Sequence, residues 1–76
     1  MSKKRNEQIN EILVTLKDIA SKVDDFRQEE QDRFDEAPEA VQEGDEGADI
    51  EAAAESFATV LESLETAIAD LERVDP

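Results

Sequence analysis

Two runs of apolar residues with the same interval pattern constrain this chain more than anything else in it. Ile9, Ile12, Leu16, Ile19, Val23 and Phe26 follow one another at steps of 3, 4, 3, 4 and 3. Ile50, Ala53, Phe57, Val60, Leu64, Ala67, Leu71 and Val74 repeat the pattern near the C-terminus. Alternating steps of three and four return side chains to one face of an α-helix, so each run reads as a heptad seam. Leu13 and Ala20 flank the first seam; Ala54, Leu61 and Ile68 flank the second. Each stripe is therefore wider than a two-stranded coiled coil requires.

The predicted fold is all-α, one domain over residues 1–76: a helix over about 3–35, a connection over about 36–45 and a helix over about 46–74. Ser2 is the expected N-cap of the first helix. Pro38, Gly44 and Gly47 mark the connection, and Pro38 disfavours helical geometry at Ala37. A single helical turn is expected at Pro38–Gln42, with Val41 folding back over Phe34. Asp45 is the expected cap of the second helix, Asp49 the alternative, and the early carboxylates suit the positive end of its dipole. Asp75 and Pro76 end the chain. Two helices of similar length and a short connection make an antiparallel αα-hairpin.

Such a hairpin is short of core. A chain of 76 residues buries only about 60% of its unfolded surface, and this one has no Cys or His to staple it. A hairpin alone is expected to leave one side of Leu13, Ala20, Leu61 and Ile68 wet. The expectation is a homodimer closing a four-helix bundle, self-associating through Ile12, Leu13, Leu16, Ala20, Leu61, Leu64 and Ile68, with a monomer or higher oligomer as alternatives.

Charge narrows the function classes. The chain holds 22 acidic and 8 basic residues, net −14. Residues 1–27 sum to +1 and residues 28–76 to −15. Phosphate neutralisation needs Lys and Arg, so direct nucleic-acid binding is not expected, and Lys3, Lys4 and Arg5 are too few to reverse that. No run is long enough for a signal peptide or a membrane span, so a soluble, cytoplasmic protein without membrane contact is expected. Basic protein surfaces are the expected partners.

The densest acidic stretch is the elbow, with nine carboxylates in the eighteen residues 29–46. Glu29, Glu30, Asp32, Asp35, Glu36 and Glu39 are the candidate partner-binding residues. Oxygen ligands suit Ca²⁺ or Mg²⁺, but Asp45, Gly47 and Asp49 lack the central Gly and terminal Glu of an EF-hand loop, so no metal or cofactor is expected. Glu30 and Arg33 interrupt the seam. Paired at i, i+3 and facing Ala52–Ala54, they are expected to fix register rather than to do chemistry. Acid–base work by Glu30 and Asp35 would need a pocket, and no His or Cys supplies a nucleophile–base pair, so no catalytic residue and no enzyme are expected. Phe26, Phe34 and Phe57 are expected to form a small aromatic core at the elbow end.

The pattern at the elbow also resembles a group of small acidic helical proteins of phages and mobile elements. The matching residues are Glu29, Glu30, Gln31, Phe34, Asp35, Pro38, Glu39, Val41 and Gln42. Ala40 and Asp45 depart from the group's pattern, which carries Asn or Ser after Pro-Glu and a Ser cap on the second helix. The resemblance implies a helical hairpin in a mobile-element setting and no activity. It directs attention to Glu29, Glu30, Phe34, Asp35, Pro38 and Gln42.

Two functional readings follow. The first is a non-enzymatic interaction module that self-associates and binds a protein partner through its acidic elbow and outer faces. The alternative is a DNA-mimicking inhibitor of a host nucleic-acid-binding protein such as a restriction or CRISPR nuclease. A −28 dimer about 45 Å long would carry one charge per about 1.6 Å, close to the one per about 1.7 Å of duplex DNA.

Overall fold

The computed structural model describes residues 3–74 and places them in three helices: α1 (Lys3–Glu36), α2 (Glu39–Gln42) and α3 (Asp45–Glu72). The expected capping by Ser2 and the Asp75-Pro76 end lie outside the described residues. α1 and α3 pack against each other along a rod of 59 × 14 × 12 Å, an all-α hairpin.

The elbow is tighter than a simple loop. α1 ends as the Ala37 amide bonds the Phe34 carbonyl at 3.2 Å. The Gln42 side chain returns to donate to that same carbonyl at 2.7 Å, satisfying one of the acceptors a helix C-terminus leaves open. Pro38 precedes α2 in extended geometry and accepts bonds from the Val41 and Gln42 amides. α3 begins at Asp45 rather than capping on it. Gly44, with φ −95° and ψ −173°, holds the cap position and accepts from the Ala48 amide at 3.1 Å. Gly47 belongs to the first turn of α3 rather than to the connection, and it is buried. α3 ends at Glu72, two residues short of the expected 74.

The face each helix turns inward differs from the expected seam. On α1 the buried and half-buried positions include Ile9, Leu13, Leu16, Ala20, Val23, Arg27, Glu30 and Phe34; on α3 they include Ile50, Ala54, Phe57, Leu61, Leu64, Ile68 and Leu71. Both sets keep steps of three and four, but each helix is turned so that the flanking residues move inside. Leu13, Ala20, Leu61 and Ile68, expected to be left wet, lie on the inner faces. Ile12 (50% exposed), Ile19 (41%), Phe26 (50%), Val60 (46%) and Val74 (42%) stay outside. Burying Leu61 and Ile68 on α3 instead of Val60 and Ala67 removes more apolar surface from water, and the small Ala20 suits a close helix approach.

Candidate functional site: an acidic elbow and a one-sided apolar stripe

Folding brings two acidic sequence segments to one end of the rod. Residues 29–55, the end of α1 through the first part of α3, hold twelve carboxylates and one Arg, net −11. The rest of the chain holds ten carboxylates and seven Lys or Arg, net −3. The charge is thus concentrated at the elbow, and Lys3, Lys4 and Arg5 occupy the opposite end.

Within the elbow the candidate residues do not converge. Glu29, Asp32, Asp35, Glu36 and Glu39 are all exposed. Asp32 accepts from Gln28 at 3.0 Å and Asp35 from Gln31 at 3.2 Å, each one helical turn away. Glu30 is the exception: its side chain is 19% exposed, and both carboxylate oxygens accept from Arg33 at 3.1 Å. This is the i, i+3 pair that the interrupted seam implied. Among the described residues no three carboxylates are arranged to hold a metal ion. An open groove between α1 and α3 is lined by Phe34, Ala54 and Ala58 with Arg27, Gln31 and Glu51.

The two long edges of the hairpin differ in kind. Assigning the inner positions as a and d places Lys17, Asp24, Gln31, Glu51, Glu65 and Glu72 on one flank, which is polar. Lys17 and Glu72 form an ion pair across it at 3.3 Å; with side chains 57% and 49% exposed, it contributes about 0–1 kcal/mol. The other flank carries Ile12, Ile19 and Phe26 from α1 and Val60 and Ala67 from α3, each set spaced by seven, with Arg33 and Ala53 continuing it toward the elbow. Val74 lies beyond the end of α3, beside Ile9, Asn10 and Leu13. Phe26 tilts onto Phe57, ring centroids 5.7 Å apart, while half of its surface stays open. Phe34 lies further toward the elbow, in the groove, rather than in that ring contact.

Of the seven residues expected to mediate self-association, only Ile12 lies on this open flank. Ala20 is buried, and Leu13, Leu16, Leu61, Leu64 and Ile68 are half-buried inside the hairpin. Sequence reasoning missed Ile19, Phe26, Val60 and Val74 as open residues because it assigned them to the inner seam. The exposed length also changes the comparison with DNA. Over 59 Å, two copies of a −14 chain carry one charge per about 2.1 Å, sparser than the duplex.

No protein-family model, curated protein or solved structure matches the chain. Among the described residues no helix is long and apolar enough to cross a membrane.

Proposed function

We propose that this chain is a non-enzymatic interaction module that pairs with a second copy and offers its acidic elbow to a basic protein surface. The observation that carries this reading is the lack of a closed core. Among the described residues only two apolar side chains, Ala20 and Ile50, are buried, and no large side chain is fully enclosed. A hairpin with half-open Ile, Phe and Val side chains along one flank gains by covering them, at roughly 25 cal/mol per Å² of apolar surface removed from water. The elbow, at net −11, is the surface left for a partner of opposite charge. The mobile-element setting implied by residues 29–47 fits a small accessory protein of this type.

Light scattering at 50 and 500 mM NaCl, with circular dichroism on the same samples, tests the pairing. A helical species of about 17 kDa, twice the 8.5 kDa chain, is expected at both salts. A helical 8.5 kDa species at both overturns it. Charge reversal tests the elbow. Glu29→Lys with Asp35→Lys and Glu39→Lys is expected to abolish capture of a basic partner that Glu62→Lys with Glu65→Lys leaves intact.

The DNA-mimicking inhibitor is the weaker reading. It calls for dense charge along the whole length, whereas the charge here sits at one end. It remains the reading to adopt if both sets of reversals weaken binding equally and binding falls steeply with salt.

A further inference from the structure

We propose that two copies pair head to tail through the apolar flank, with the elbows at opposite ends of the dimer. This deepens the self-association reading above and rests on it. The flank is symmetric about its own centre. On α1, Ile12 and Phe26 stand seven residues either side of Ile19. The Phe26–Phe57 ring contact and the Lys17–Glu72 ion pair set the register of the hairpin, and together they bring Ile19 level with Ala67. A two-fold axis across the rod at that level lays Ile19 on its own copy and Ile12 on the partner's Phe26. On α3 it lays Ala67 on its own copy.

Apolar matching alone does not choose the direction. A two-fold axis along the rod would set α1 on the partner's α3, with Ile19 on Ala67 and Phe26 on Val60, and cover the flank equally well. Charge chooses. Pairing elbow to elbow stacks two ends of −11 side by side. Pairing head to tail separates them by most of the 59 Å length, many times the roughly 8 Å screening distance at physiological salt. It also lays the Lys3–Arg5 end, net +3, over the partner's residues 29–36, net −4, an attraction overall even though Arg5 falls level with Arg33 of the partner subunit.

The chain has no Cys, so introduced thiols report the pairing directly. Ile19→Cys is expected to oxidise to a covalent dimer by itself. Ile12→Cys and Phe26→Cys are expected to cross-link when the two variants are mixed and not when either is alone. Light scattering under reducing conditions and circular dichroism confirm that each variant still folds and pairs. Cross-linking of Phe26→Cys with Val60→Cys when the two variants are mixed, while Ile19→Cys stays monomeric on a non-reducing gel, means elbow-to-elbow pairing and overturns the proposal. A wild-type dimer by light scattering with no disulfide from any flank position places the interface elsewhere, overturning this proposal while leaving self-association standing. As an independent check, Ile19→Asp, at an exposed position, is expected to halve the molar mass while keeping the helicity; an unchanged mass overturns the proposal too.

Discussion

Gly47 shows how one atom sets the elbow. A Cβ built there would lie 2.3 Å from the Gln42 carbonyl oxygen and 2.4 Å from that of Val41. These are backbone atoms at the end of α2, so the short helix and α3 would have to part. Gly47→Ala is expected to destabilise the fold by about 1–3 kcal/mol, the usual range for overpacking. For a chain of this size each kcal/mol lowers Tm by about 4–8 °C, easily seen in a thermal melt followed at the helical band. Gly44→Ala, whose Cβ would come no closer than 3.2 Å to the Ala40 carbonyl, should cost less. Gln42→Ala removes the bond to the Phe34 carbonyl and should cost about 1 kcal/mol in the same assay. A melt unchanged by Gly47→Ala would mean that α2 does not pack on α3 as described. In the sequence Gly47 reads as a turn marker. Its role is spatial, and only the return of α2 onto α3 creates it.

At the level of the helix, the sequence reports period more faithfully than face. Both heptad runs appear as helices within two residues of their expected ends, and the turn after Pro38 forms as α2. The inward face was not readable because each stripe is three positions wide, so two neighbouring seams satisfy the same spacing. Packing decides between them. Leu61 and Ile68 outweigh Val60 and Ala67 on α3, whereas on α1 the gain of Phe34 over Arg33 is set against Arg27 and Ala20 in place of Phe26 and Ile19, so α3 carries the choice. Glu30 faces inward in both, and its pairing with Arg33 is a compromise at an otherwise apolar position. Glu30→Leu should therefore raise Tm by several degrees, since a half-buried carboxylate is replaced by apolar surface. A lower Tm would show that the Glu30–Arg33 pair, rather than burial, holds this stretch of the hairpin.

For the molecule as a whole, net charge opposes compaction. The −14 works against folding by self-repulsion and most strongly at the elbow, where the chain must turn back on itself. Stability should rise as NaCl increases from 50 to 500 mM, because the screening length shortens from above 10 Å to a few ångströms. The surface ion pairs, such as Lys22–Asp18 and Arg73–Asp70, are too exposed to offset that gain when salt weakens them. A Tm that falls with salt would mean that these pairs outweigh the repulsion.

The concentration of charge at a narrow tip also has a consequence for valency. Each elbow carries net −11 over the last part of a rod 14 × 12 Å across, and in the head-to-tail pair the partner's Lys3, the partner's Lys4 and the partner's Arg5 offset part of it. A basic surface would meet this rod end-on, through a small footprint, rather than along its side. In a head-to-tail pair the two tips point in opposite directions on the order of 60 Å apart, too far for one compact partner domain to grip both. Such a dimer is a strut with two sockets, suited to bridging two copies of a basic partner at a set distance.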